Sequence, residues 1–237
     1  MTADVTPSPT VPPQEAPSVL HMYRALVGVG VLCGLLIVSV YEATKPVIQA
    51  KRAAALREAV FTVVPGADSS RAFRPTDAGG FAAVENPDAV EGTVLYAGYD
   101  ATGRLIGVAL PASGMGYADV IRVLYGYAFE EDAIVGMKVL TSKETPGLGD
   151  KIETDETFRQ NFERLDASLA PDGESLAHPI TYVSSGEKEA PWQVDGITGA
   201  TISSKAIATM LGESAKRWVP LLEASQADFQ QQGENGE

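Results

Sequence analysis

Hydrophobic patterning changes character several times along the chain. Residues 1–19 are rich in Pro, Ser, Thr and Ala and carry no apolar period, so they read as a disordered tail. Ala25 to Tyr41 is uncharged and almost wholly apolar over seventeen residues. As a helix it covers roughly 25 Å, the short end of a membrane span. Leu20, Met22 and Tyr23 lengthen it, and Tyr23 and Tyr41 stand where interfacial aromatics belong. A helix apolar on every face predicts a transmembrane helix over 20–41 rather than a buried core helix. A cleaved signal peptide fits less well, because the apolar region is long and no small-x-small site follows before Lys45-Pro46. Over 42–65, Ile48, Ala55, Leu56, Ala59, Val60 and Val63 alternate with Lys, Arg and Glu. That predicts an amphipathic connecting helix, stopped by Pro65-Gly66.

From residue 66 the chain reads as one domain to about 225, followed by a polar flexible tail over 226–237. Residues 66–92 are Gly, Asp, Pro and Ala rich and read as loop with one short strand, anchored by Phe73 and Phe81. Thr93–Tyr99 and Leu105–Pro111 are β-prone runs about Asp100-Ala101-Thr102-Gly103, a hairpin signal. A second copy follows at an offset of 29, Leu95-Tyr96 matching Leu124-Tyr125 and Leu105 to Val108 matching Ile134 to Met137. A period that occurs twice is an internal duplication, not a solenoid. The link Ser113–Arg122 reads as Gly-rich with a helical turn. Thr154–Leu165 reads as a helix capped by Thr154, with Phe158, Phe162 and Leu165 on one face. Ile180–Ser184 reads as a strand, and a helix runs from Thr201 to about Leu222. The fold class is α+β: an antiparallel sheet built from two tandem hairpins packed with helices, preceded by one N-terminal transmembrane helix.

Composition removes several functions. With 31 acidic against 18 basic residues and a formal net charge of −13, the chain has no basic footprint for nucleic acid. The single cysteine, Cys33, lies in the apolar run, so the chain alone builds no disulfide, zinc or iron–sulfur site. His21 and His178 are far apart and have no helix-spaced metal partners. There is no Gly-x-Ser-x-Gly elbow, no Walker lysine loop, and no nucleophile set beside either histidine. Gly28-x-Gly30 lies inside the span and lacks the strand–turn–helix setting of a dinucleotide loop. Gly30 and Gly34 share a helix face that permits close helix approach in lipid, or are simply tolerated there.

Two stretches remain. In Asp195-Gly196-Ile197-Thr198-Gly199-Ala200-Thr201-Ile202-Ser203-Ser204-Lys205, small polar residues run into helical spacing carried by Ile202, Ala206, Met210 and Leu211. Thr201 stands at or just inside a helix N-terminus, where unpartnered N–H groups and the helix dipole favour a phosphate. Spacing alone equally fits an ordinary cap by Thr198 or Thr201. In Glu144-Thr145-Pro146-Gly147-Leu148-Gly149-Asp150, the Pro-Gly pair and Gly149 demand a turn with unusual backbone angles, which by itself is compatible with a purely structural role.

Together these stretches resemble the FMN-binding domain family of RnfG and NqrC, subunits of membrane redox pumps. The first resembles its flavinylation motif, Asp-x-x-Ser/Thr-Gly-Ala-Thr, with Thr198 where many members have Ser. The second matches a further family segment, about fifty residues earlier. The resemblance implies FMN attached covalently through its phosphate to Thr201, with Gly199 and Ala200 leaving room for the anion. It implies a clamp on the ring from Glu144, Thr145, Gly147, Leu148 and Gly149, with Thr198 also in the site. Asp195 would serve the attaching enzyme more than the cofactor. Lys205 either pairs with the phosphodiester or is solvated, and Tyr117 either touches the ring or packs in the core.

The continuation Gly149-Asp150-Lys151-Ile152 resembles RnfG more than NqrC. The implied function is an electron-transfer component of an ion-pumping ferredoxin:NAD oxidoreductase, the Rnf complex. Its implied partners are the other membrane and redox subunits and, during maturation, a flavin transferase. The alternatives are the NqrC component of a Na⁺-translocating NADH:quinone reductase and a membrane-anchored flavin-binding sensor. The family topology puts the flavin domain on the periplasmic side of the inner membrane. Charge argues the other way, since Arg24 precedes the span while Lys45, Lys51, Arg52 and Arg57 follow it.

Overall fold

The computed structural model describes residues 19–77, 79–87 and 90–230. All of the N-terminal tail but Val19, and residues 231–237 of the C-terminal tail, lie outside them. The chain divides into two units, one ending at Arg52 and one beginning at Ala53. Helix α1 (Val19–Val63) runs without interruption through the expected span and the expected connecting helix, with Pro46 inside it. Its apolar part has a mean hydropathy of 2.1 and is unburied. Among the described residues it is the one helix long and apolar enough to cross a membrane.

The second unit is built on a seven-stranded antiparallel sheet of β1 (Ser69–Pro75), β2 (Phe81–Val84), β3 (Leu95–Tyr99), β4 (Leu105–Met115), β5 (Val120–Ala128), β6 (Ala133–Thr141) and β7 (Leu165–Asp166). Its order is β2-β1-β3-β4-β5-β6-β7. Helices α2 (Lys151–Thr154) and α3 (Glu156–Gln160) follow β6. Two short parallel strands, β8 (Thr181–Val183) and β9 (Gln193–Asp195), precede helix α4 (Thr201–Ala224) and the short α5 (Gln226–Gln230).

The sheet is covered on both faces, so residues of each strand alternate between two cores. Val123, Tyr125 and Tyr127 of β5 join Val108 and Leu110 of β4 in the core shared with α4. Leu124 and Ala109 point the other way, onto Ala59, Val60, Val63 and Val64. On that second face four strands carry glycine, and a Cβ at Gly98 of β3 would lie 3.0 Å from Val64 Cγ1. A Cβ at Gly126 would overlap the Val63 carbonyl oxygen, one at Gly136 would lie 2.6 Å from Val63 Cα, and one at Gly107 3.1 Å from Val64 Cγ1. The end of α1 is thus seated against bare backbone.

The two tandem hairpins are present as β3–β4 and β5–β6. Their repeat in sequence is a repeat in orientation for the second strands only, where Leu105 and Ile134 share the α4-side core. Leu95 lies in the α4-side core, while its counterpart Leu124 lies on the opposite face. Register irregularities lie within each hairpin, at Gly98/Tyr99 in the first and at Arg122/Val123 and Gly126/Tyr127 in the second, and a one-residue slip exchanges the faces of a strand.

Four local expectations are corrected. Residues 66–92 contain a hairpin, β1 and β2, rather than one strand, and both phenylalanines are buried in it. The link 113–122 has no helical turn: β4 and β5 pair from Val108↔Tyr127 to Met115↔Val120 and close over four residues. Pairing continues because each strand otherwise leaves its N–H and C=O groups unpartnered. The helix expected over 154–165 is shorter. Asp155, not Thr154, caps it by accepting the Phe158 N–H at 2.9 Å, and Leu165 belongs to β7. Finally, 226–230 is not a loose tail. Phe229 is buried against Phe73 and Phe81, with ring centroids 4.8 and 4.9 Å away, and Asp228 accepts the Phe81 N–H at 2.8 Å. The Phe229 carbonyl accepts from the Tyr99 hydroxyl, whose pKa burial pushes up to about 12.

Two substitutions test this packing by thermal unfolding. Gly126→Ala forces the end of α1 off the sheet and is expected to destabilise the domain by about 1–3 kcal/mol. Phe229→Ala empties a buried aromatic site and is expected to cost about 3–5 kcal/mol. An unchanged melting temperature for Phe229→Ala would mean that the C-terminal segment does not pack there.

Candidate functional site

Thr201 is the first residue of α4 and is exposed. The chain reaches it through Gly199, which has φ 86°, and Ala200, which offers no side-chain cap. Neither threonine caps the helix. Instead Ser204, fully buried, secures the turn from inside: its hydroxyl donates to the Ala200 carbonyl at 2.8 Å and accepts the Ile197 N–H at 3.2 Å. With no capping side chain, the first N–H groups of a 24-residue helix remain free to meet an anion. Ile202, expected on the buried stripe, is 54% exposed and turns outward beside Thr201.

A cavity of about 300 Å³ opens at this helix end, lined by Tyr117, Glu144, Thr145, Leu148, Gly149 and residues 199–203. The two sequence stretches therefore meet in space. Their junction is Glu144, 6% exposed. One carboxylate oxygen accepts the Ala118 N–H at 3.0 Å and the other accepts the Ser203 hydroxyl. Gly149 has an ordinary negative φ, unlike Gly147 at 77°. Its requirement is space: a Cβ there would run into Glu144 and stand 2.9 Å from Ser203 Oγ. Gly116 is confined in the same way, by Glu144 and by Ile121 Cδ1 at 2.6 Å.

Of the residues named from sequence, Thr201, Glu144, Thr145, Leu148, Gly149, Gly199, Ala200 and Tyr117 line this cavity. Tyr117 is 68% exposed, so it is a rim residue and not part of the core. Gly147, Thr198 and Lys205 do not line it. Lys205 faces a broader groove of about 1120 Å³ that runs along α4 past Met210 to Trp218. Thr198 lines a separate polar pocket of about 240 Å³ with Lys151, Asp155 and Asp195.

Asp195 is held within the protein. Its carboxylate accepts the Gly186 N–H at 2.8 Å, and its peptide is bracketed by the buried Asn161 amide, which accepts its N–H and donates to its carbonyl, both at 3.0 Å. Lys188 donates to the same Asn161 oxygen at 3.1 Å. Burial lowers the Lys188 pKa, opposed by the charge of Asp195. Gly196 next to it admits no side chain, because a Cβ would lie 2.5 Å from the Tyr182 ring.

Ser203, Ser204, Ile202 and Asn161 escaped sequence reasoning. A pair of serines in the first turn of an otherwise apolar stripe was the one available signal for the first two.

The cavity suits a flavin phosphate ester in three respects. A threonine hydroxyl is exposed at a helix N-terminus, backbone at Gly199 is open with nothing within 4 Å of a Cβ there, and Leu148 and Ile202, both more than half exposed, supply apolar surface. Its volume is at the lower end for ligand sites, roughly 300–1,000 Å³, so part of a bound ring would stay open to a partner.

Comparison with known proteins agrees with this geometry. Residues 116–216 match the family described as FMN-binding domain. The chain is 28% identical over 200 residues to the G component of the ion-translocating oxidoreductase complex of Methanosarcina acetivorans, covering 83% of this chain and 93% of that protein. It is 35% identical over 130 residues to the component of the same name from Cereibacter sphaeroides, covering 51% of this chain and 50% of that one. With the G component of the Na⁺-translocating ferredoxin:NAD⁺ oxidoreductase complex of Acetobacterium woodii it shares 32% over 108 residues, 44% of this chain and 45% of that protein. The chain thus spans nearly all of the archaeal relative and about half the length of the two bacterial ones. In fold it is similar to the crystal structure of NqrC from Shewanella oneidensis, with a TM-score of 0.57 at 19% identity, covering 77% of this chain and 98% of that one. The C component of the Na⁺-translocating NADH-quinone reductase from Parabacteroides distasonis gives a TM-score of 0.51 at 21% identity, covering 66% and 78%. The motif, the cavity and these likenesses converge: residues 116–216 match the FMN-binding domain family, and the chain is similar to the G components of ion-translocating oxidoreductase complexes.

Proposed function

We propose that this protein is the RnfG-type component of a membrane-bound, ion-pumping ferredoxin:NAD oxidoreductase and relays electrons through FMN esterified to Thr201. The observation that carries the proposal is the exposed Thr201 hydroxyl at the mouth of a cavity whose opposite wall is the Glu144–Gly149 turn. Likeness to the archaeal G component over nearly the full chain supports the choice of complex.

Bound FMN supplies one- and two-electron redox chemistry. The protein's part is retention, orientation and partial exclusion of water. The first turn of α4 directs its N–H groups and positive dipole end at the phosphate, and the ester at Thr201 prevents loss by dissociation. The bond is remote from the ring and leaves its electronics unchanged, so the potential is set by the groups around the ring. Leu148, Tyr117, Ile202 and Thr145, which line the cavity, would hold the ring, Leu148 and Ile202 by apolar contact and Thr145 by a hydrogen bond from its hydroxyl. The partners are the remaining membrane and redox subunits and, during maturation, a flavin transferase that acts outside the cytoplasm. That enzyme's location supports a periplasmic domain held by α1 in the inner membrane. No substrate is turned over by this protein alone.

Intact mass of the membrane-extracted protein is expected to exceed that of the polypeptide by one FMN less water, with the increment on the Thr201 peptide. Thr201→Ala is expected to abolish both the increment and in-gel yellow-green fluorescence while the domain stays folded. A dark band from cells that contain the transferase would favour a reversible flavin-binding sensor instead. Orientation is tested by fusing alkaline phosphatase after Gln230. Activity is expected, and an inactive fusion would put the domain in the cytoplasm, as the flanking charges suggest.

A further inference from the structure

The Glu144 carboxylate is more than a linker between two motifs. It lines the flavin cavity, is nearly sealed from water, and is held by two donors, the Ala118 N–H and the Ser203 hydroxyl. Both contacts are neutral. Among the described residues no cation forms an ion pair with it. The nearest lysine in sequence, Lys143, is engaged with Asp119 at 2.6 Å, and Lys205 lies along the neighbouring groove. It fills the space over Gly116 and Gly149, where a Cβ on either would collide with it. The result is a carboxylate held in a confined, poorly screened place on the wall of the cavity.

We propose that Glu144 sets the reduction potential of the bound flavin, holding it low by opposing the negative charge that reduction adds. The proposal rests on the assignment of FMN to Thr201. Reduction above neutral pH brings two electrons and one proton to the ring, so the reduced ring carries one more negative charge than the oxidised ring. A carboxylate at the cavity wall destabilises that product relative to the reactant, and it does so more strongly where water is excluded. A low potential suits a carrier that must pass electrons onward. Glu144 thus acts by its charge on the cofactor and positions the clamp turn against α4 in the same stroke.

The test uses the full-length, membrane-extracted chain from cells that contain the transferase. Glu144→Gln keeps the shape and removes the charge. Ser203→Ala keeps the charge and removes one donor. Each is titrated with dithionite in the presence of mediator dyes. Dithionite supplies the two electrons as it is oxidised to sulfite, and the buffer supplies the proton. Glu144→Gln is expected to carry FMN on Thr201 as the parent does and to raise the reduced-to-oxidised ratio at a fixed potential at least tenfold, about 30 mV for a two-electron couple. Ser203→Ala is expected to change that ratio less than twofold or to lower it. The proposal is overturned by a loaded Glu144→Gln within twofold of the parent. It is equally overturned if Ser203→Ala raises the ratio as much as Glu144→Gln, since packing rather than charge would then be responsible. A Glu144→Gln protein that takes up no flavin, while the parent does, overturns it too by moving the role of Glu144 to attachment. A parent protein without the FMN mass sinks the functional assignment itself, and is read before any variant.

Discussion

Glu144 sits where three segments remote in sequence come together: the β4–β5 turn at Gly116–Ala118, the Thr145–Gly149 turn, and the first turn of α4. Burying a carboxylate costs several kcal/mol unless its oxygens are satisfied. Here each oxygen has a donor from a different segment, so the segments must be brought into register for the charge to be tolerated at all. The two glycines that flank it follow from the same constraint. They are bare because the carboxylate occupies the space where their side chains would be. A cavity with a definite shape is the by-product of meeting that one demand.

The scaffold that makes this possible is a sheet with both faces covered. On one face α4 lies across β4, approaching most closely where Met210 Cε would stand 3.1 Å from a Cβ at Gly114. On the other face the end of α1 rests on Gly107, Gly126 and Gly136. Close approach on both sides leaves little freedom for the strands between. The turn that closes the β4–β5 hairpin carries Tyr117 to the cavity rim. The flavin motif is braced a second time, by Asn161 and the Asp195 carboxylate, before the chain turns at Gly199. Asp195 thereby has a role inside the fold, which sequence resemblance alone assigned to an external enzyme.

Much of the site was legible because its residues lie in two short contiguous stretches of unusual composition. Local spacing is enough to recognise a Gly-Ala-Thr run ahead of a helix, or a Pro-Gly turn between a strand and a helix. What such spacing cannot convey is which neighbour a side chain meets. Thr198 is three residues from Thr201 yet lines a different pocket, because the positive φ of Gly199 reverses the chain between them. Lys205 is one helical turn on and lines the groove along α4, which Thr201 and Ile202 also border, but it does not reach the cavity at Glu144. Ser203, invisible as an ordinary small helical residue, is the one that closes on Glu144.

By itself the sequence determined the elements whose signal is periodic or compositional: the long apolar helix, the two duplicated hairpins, the amphipathic final helix, and the meeting of helix N-terminus and threonine hydroxyl. These depend on contacts within a few residues, where propensity and period act directly. Tertiary structure decided the rest. It made a helix of the polar segment 226–230, because Phe229 found an aromatic pocket formed by residues more than a hundred positions earlier. It turned Leu95 and its counterpart Leu124 to opposite faces while leaving Leu105 and Ile134 on one, because register irregularities shift the pairing within each hairpin by a residue. And it brought two turns together around one cavity, because a buried carboxylate is stable only where distant donors converge on it.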